Sequence, residues 1–252
     1  IEALNAVSTY INDISAKYIV MMHGNTAANI DLREAIRGHL DSGAEITAIC
    51  TDTVLDYKHH RYIVDADGFA RRMIFNQIAD GEGAASLEAY IISKQLLLDM
   101  MKACAAANRY HFHRDAIADY LADGGKINVY FHRGYGKRIM STEAFFNANM
   151  DMLSSANRAE LFPTDRPVRT KTHEDVSTYY AEGSSAHNSL VADGCIIEGK
   201  IENCIISSGA RIGKGAELKN CIIMRGCEIG EGTELSYVIS DKISSFAPGL
   251  TL

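Results

Sequence analysis

A chain of 252 residues that is 47% hydrophobic with only 3 prolines can bury a large core and hold one large or two modest domains, which argues against a disordered chain. Its 32 acidic against 25 basic residues leave a formal charge of −7, and no Lys/Arg run with interleaved aromatics tracks a phosphate backbone, so no nucleic-acid partner is expected. No 18-residue apolar stretch and no basic-plus-apolar leader occurs, so no membrane partner is expected; the six cysteines lack CxxC or zinc-finger spacing and read as reduced thiols of a cytoplasmic protein.

Leu4, Val7, Ile11 and Ile14 recur at helical spacing, which predicts one amphipathic helix over Glu2 to Ser15. Tyr18 to Met22 is an apolar run of strand length, broken by Gly24, and the loop His23, Gly24, Asn25, Thr26 sits where ligands collect at the carboxyl ends of strands in α/β sheets. Asp31 with Glu34 makes a capping-box-like helix start and Gly43 a helix end, with a second strand over Glu45 to Thr51. Such a β-α-β unit predicts parallel strands lying beside each other. Asp65 to Gly68 forms a hairpin-like turn between Tyr62–Val64 and Arg72–Phe75. Leu87 to Ile92 reads as a strand, and Ser93 as the cap of a helix whose inner face carries Leu96, Leu97, Met100, Met101 and Cys104. A helix near Asp115 to Leu121, a strand at Ile127 to Phe131 and a helix from about Ser141 to Ser154 complete an α/β domain. His111 and His113, two apart, lack the i, i+4 spacing of a helical metal pair, and no metal site is expected.

Beyond residue 157 the periodicity fades, and 158–183 reads as a linker carrying Arg166, Arg169 and Lys171. These three either form an anion site for an effector or lie on a solvated strand. From 184 to 252 the chain repeats. Ile212–Leu218 recurs as Ile229–Leu235 and Asn203–Ile206 as Asn220–Ile223, seventeen residues on, with Gly between aliphatic steps. This predicts a parallel β-helix of about three coils between Asn188 and Ile239, with Cys204 and Cys221 stacked as small hydrophobes in adjacent coils.

An α/β domain followed by a hexapeptide β-helix resembles the sugar-nucleotide pyrophosphorylases, and the motifs narrow the resemblance to the ADP-glucose pyrophosphorylase (glucose-1-phosphate adenylyltransferase) family. MHGNTAANID from Met22 is similar to that family's LAGDHIYKMD, and KRIMSTEAFFNANMDML from Lys137 to its RDVGTLDAYWEANMDL; NSLVADGCIIEGKIENCII resembles its C-terminal domain. The resemblance is nearest to the non-catalytic GlgD-type subunits of Gram-positive bacteria. It implies a nucleotidyltransferase-type (Rossmann-like, GT-A-like) mixed sheet over residues 1–157 and a short left-handed parallel β-helix over 184–252. The family's Gly-rich GxGxRLxPLT loop is absent from this sequence and would precede Ile1, as expected for part of a longer protein.

The departures from the family pattern carry the functional expectation. The two Asp that hold Mg²⁺ in active members correspond to Asn25 and Arg138 here. A fixed guanidinium about 4 Å from a cation repels each unit of its charge by about 4 kcal/mol at an effective dielectric near 20. The Glu and Lys of the sugar-phosphate motif FVEKP correspond to Asn76 and Gln77, and the small Gly of SMGIYVF to Glu88, which brings bulk and negative charge toward a phosphate sugar. The resemblance therefore implies a chain without a catalytic residue, a metal or a cofactor of its own, Mg²⁺ belonging to a catalytic partner subunit in a hetero- or homo-oligomer. Its expected role is regulation of ADP-glucose synthesis, with a sugar phosphate as possible effector. The alternative is an active transferase with a remodelled metal site, for which Asp31, Asp65 and Asp67 are the nearby carboxylates.

Overall fold

The computed structural model describes residues 1–52, 59–77, 81–170 and 175–252, which divide into two compact units, Ile1–Met140 and Ser141–Leu252. The first is a mixed sheet with helices. Its strands are β1 (Tyr18–Met22), β3 (Ile46–Thr51), β4 (His59–Val64), β5 (Ala70–Gln77), β6 (Ala84–Ser93) and β7 (Ile127–His132), joined by a small two-stranded sheet of β2 (Thr26–Ala28) and β8 (Gly136–Arg138). The strand order is β5-β4-β6-β3-β7, with β1 sharing an edge of β6 with β4. Strand β6 is ten residues long and almost wholly buried, and Tyr90, Ile92, Ile46 and Ile127 form the centre of the core with Leu97 and Met101 from the helix behind it.

The β-α-β expectation needs correction. Strands β1 and β3 both run antiparallel to β6, so they point the same way, but β6 is inserted between them. Local sequence around the crossover cannot reveal that a strand from forty residues downstream takes the middle place. The single N-terminal helix is also two: α1 (Glu2–Ala6) and α2 (Ser8–Asp13), parted at Val7. Ser8 Oγ donates to the carbonyl of Asn5, a side-chain bond that competes with the helical ladder at the break. Helix α3 (Leu32–Ser42) starts on Asp31, whose carboxylate accepts from the amides of Arg33 and Glu34, and ends on left-handed Gly43. The reciprocal half of the capping box is not made; the Glu34 carboxylate instead accepts from the Tyr130 hydroxyl at 2.7 Å. Ser93 occupies the N-cap of α4 (Lys94–Ala106) without a side-chain capping bond. A π-helical turn (Phe112–Ile117) leads into α5 (Ala118–Ala122).

In the second unit, α6 (Thr142–Met150) and α7 (Ser155–Leu161), taken above with the sheet domain and the linker, are grouped with the solenoid. The solenoid itself is a parallel β-helix of about four turns, consistent with a hexapeptide-repeat left-handed coil. Three parallel sheets form its walls, and Ile201↔Leu218↔Leu235 and Ile205↔Ile222 stand in the registers that the repeat predicts. Coiling begins earlier than the aliphatic pattern shows, at Tyr179–Tyr180, and continues to Ser245–Phe246. The first coils escape a seventeen-residue search because Ser185 and Lys200 pair fifteen residues apart, and because exposed Ser185–His187 carries no aliphatic signature.

One corner of the coil takes left-handed backbone at Asn188, Asn203, Asn220 and Tyr237. Asparagine tolerates this conformation, and Asn188 Nδ2 donates to Asn203 Oδ1 along the ladder. Cys204 and Cys221 stack as expected, with the Cys221 amide donating to Cys204 Sγ at 3.4 Å. All six cysteines are free and buried.

Candidate functional site

The strongest concentration of polar chemistry in the first unit surrounds Glu88. Strand β6 slips register against β3 between Ile49 and Cys50, so that Ala89 faces Ile49 while Ser86 faces Cys50, and Leu87 and Glu88 are the extra residues of a bulge. Glu88 has φ +52, a left-handed conformation that glycine adopts freely and a glutamate does not. Its amide is held by Ser86 Oγ at 3.0 Å. The bulge re-aims the side chain toward residues from four other segments.

Buried Arg138, at the end of β8, pairs with Glu88 Oε1 through its Nη1. His60 Nδ1 from β4 lies 3.4 Å from the same oxygen. Glu88 Oε2 meets His23 Nε2 at 3.2 Å, from the loop after β1, and His113 Nε2 at 3.1 Å, from the π-helical turn. Behind them the Tyr90 hydroxyl lies 3.1 Å from His60 Nε2, 3.0 Å from His113 Nδ1 and 3.1 Å from the Tyr62 hydroxyl. His23, Glu88, Tyr90 and His113 open onto a cleft of about 480 Å³ that Met22, Gly24 and Phe112 also line.

Burial by itself would raise the Glu88 carboxyl, but hydrogen bonding and charge from His113, with the charges of His60 and Arg138, hold it down at about 2. His60 is pushed down to about 3, chiefly by desolvation, with the neighbouring His113 adding to the effect. His23 is lowered by desolvation against the opposing pull of Glu88. Burial raises the Tyr62 hydroxyl well above its ordinary value. Near neutral pH the cluster is therefore an ionised carboxylate paired with a guanidinium, with His23 and His60 as neutral imidazoles.

The structure brings together three of the residues singled out above. Thr26 pairs with Arg138 in the β2-β8 ladder, and the Asn25 carbonyl accepts from the Ile139 amide at 2.7 Å, so Asn25 and Arg138 are neighbours although they lie far apart in the chain. Asn25 Nδ2 contacts Met140 Sδ at 3.0 Å, while its Oδ1 is buried with no partner. Glu88 joins this pair through Arg138, so the negative charge expected to face a phosphate sugar is turned onto the guanidinium expected to repel a cation. Each departure offsets the other.

The remaining candidates separate from this site. Asn76 and Gln77 end β5, and their side chains lie outside the described residues, as does Lys171. Arg166 pairs with its neighbour Asp165 at 3.2 Å, and Arg169 is exposed. Asp31 caps α3, and Asp65 closes the hairpin turn by accepting from the amides of Asp67 and Phe69 while pairing with Arg71, so both carboxylates serve local structure. His111 and His113 part company: the His111 amide is held by Asp115, whereas the His113 ring turns inward to Glu88. Sequence spacing missed the histidines because their partners come from distant segments. The one local signal was Glu88 standing at a position where the family has glycine.

Residues 173–252 match the family described as GlmU-like, C-terminal hexapeptide. The C-terminal part of this chain is a hexapeptide-repeat β-helix that is similar to that domain. With a mixed α/β sheet unit before it, the chain fits a sugar-nucleotidyltransferase-type protein, and the match itself does not reach the Glu88 cluster. Among the described residues, no helix is long and apolar enough to cross a membrane.

Proposed function

We propose that this chain is a regulatory, non-catalytic subunit of a glucose-1-phosphate adenylyltransferase, serving ADP-glucose synthesis in glycogen formation beside a catalytic subunit in the cytoplasm. The observation that carries this reading is the Glu88–Arg138 ion pair beside Asn25. In the resembled family that place needs two carboxylates for Mg²⁺ and a small residue for the sugar. Here one carboxylate is an amide, the other is a buried guanidinium, and the glycine is a glutamate that neutralises it. Mg²⁺ takes oxygen ligands and requires anionic charge, and the Glu88 carboxylate is engaged by Arg138 and three histidines. Arg166, Arg169 and Lys171 supply the candidate anion site for a sugar-phosphate effector, because guanidinium groups offer phosphate a forked donor set.

Co-expression with a catalytic subunit tests the reading. A stable complex is expected whose response to fructose phosphates differs from that of the catalytic subunit alone, with no Mg²⁺-dependent ADP-glucose formation by this chain by itself. Turnover by this chain from ATP and glucose 1-phosphate, or failure to form any complex, would overturn it.

A further inference from the structure

We propose that His23 Nε2, Glu88 Oε2 and His113 Nε2 form a binding site for one divalent transition-metal ion of the zinc class. These three donor atoms all lie within 4.8 Å of one another and come from three segments of the fold. A tetrahedral zinc ion with bonds of about 2.0–2.1 Å separates its donors by about 3.3 Å. The two edges through Glu88, 3.2 Å to His23 and 3.1 Å to His113, match that spacing already. The remaining edge between the histidines would close by rotation of His23, whose side chain is 49% exposed at the mouth of the cleft.

The surroundings favour a metal at these atoms over a hydrogen-bonded cluster alone. Tyr90 Oη stands 3.0 Å from His113 Nδ1, placed to accept an N–H there once the ion replaces the Nε2 hydrogen bond to Glu88, so that the Nε2 lone pair is available to the metal. Arg138 and His60 occupy the other carboxylate oxygen, so Oε2 is the one presented to the histidines. The guanidinium cancels the carboxylate charge, which leaves a donor set that is neutral overall and dominated by imidazole. Such a set suits Zn²⁺ and its transition-metal neighbours and is a poor one for Mg²⁺ or Ca²⁺, which require several oxygens. With three protein ligands the fourth position faces the cleft, open to water or to a small anion.

The test uses the whole chain, stripped of metal by a chelator and titrated with Zn²⁺ alone, Mg²⁺ alone and Co²⁺ alone. One Zn²⁺ per chain is expected, no comparable Mg²⁺ binding, and visible d–d bands from Co²⁺ without thiolate charge transfer. The substitution His23→Ala, on an exposed loop, should weaken Zn²⁺ by more than about 100-fold, the upper end of what loss of an outer-shell partner costs, and Tyr90→Phe by about 10- to 100-fold. A rise in Tm with Zn²⁺ that His23→Ala abolishes keeps the test valid should His113→Ala fail to fold. Absence of bound Zn²⁺, wild-type affinity in His23→Ala, equal Mg²⁺ binding or a thiolate signature would overturn the site. Zinc binding and ADP-glucose formation are separate readouts, so failure of one leaves the other standing.

Discussion

Glu88 and Arg138 meet in a buried ion pair across fifty residues of chain, and each stands where the other makes its presence tolerable. Arg138 without a carboxylate would be a buried charge lacking its main counter-ion. Glu88 without a cation would be an anion forced into left-handed backbone for no return.

Two effects therefore oppose each other in Glu88→Gly. Glycine relieves backbone strain of about 1–2 kcal/mol, while breaking a buried pair from one side costs about 3–5 kcal/mol. Net destabilisation of about 1–4 kcal/mol is expected from urea denaturation. A cycle with Arg138→Leu should give a coupling of about 1–3 kcal/mol. A Glu88→Gly protein as stable as the parent would show that the pair is not what holds the bulge.

His39 supplies a pH dependence remote from the site. It is buried, lies 2.8 Å from Thr47 Oγ1, and desolvation lowers its pKa below the usual 6.5. The unfolded chain thus binds the proton more readily than the folded one. Stability is fully present above about pH 6.5 and is lost as pH falls below it toward the depressed folded value. His60, held at about 3, acts in the same direction as pH falls from about 6.5 toward 3. Urea midpoints measured from about pH 8 to 5 should fall more gently for His39→Gln than for the parent; parallel slopes would remove His39 as a contributor.

Glycines in the solenoid divide into two kinds. A Cβ on Gly199 would lie 2.3 Å from the Ala216 carbonyl oxygen and 2.9 Å from that of Gly213, whereas one on Gly215 would meet nothing within 4 Å but sits at φ +72. Gly199→Ala should cost about 1–3 kcal/mol or more through forced separation of adjacent coils. Gly215→Ala should cost about 1–2 kcal/mol, the left-handed penalty alone. Thermal melting of both variants checks the order, and a reversed ranking would argue against coil contact at Gly199.

The cysteines should behave as packing residues. All six are buried, and burial pushes the Cys50 thiol up. A thiol reagent should label the native chain far more slowly than the urea-unfolded chain, which should expose six thiols. Fast native labelling at Cys204 or Cys221 would contradict their place in the ladder.

The solenoid was legible in the amino-acid order because each coil packs on the next. Contacts between residues seventeen apart repeat with the same side chains, so Ile212 and Ile229 announce their own pairing. Caps such as Asp31 were legible for the same reason, since their partners lie within three residues. At the site, the substitutions at Asn25, Glu88 and Arg138 could be read against a family pattern, but their mutual compensation could not. It depends on β6 entering between β1 and β3, on the bulge opposite Ile49 and Cys50, and on the π-helical turn that swings His113 inward. Those placements follow from burying the central strands β3 and β6 on both faces, a condition on the whole chain. Four histidine and carboxylate positions with no common spacing became one cluster only when that condition was met.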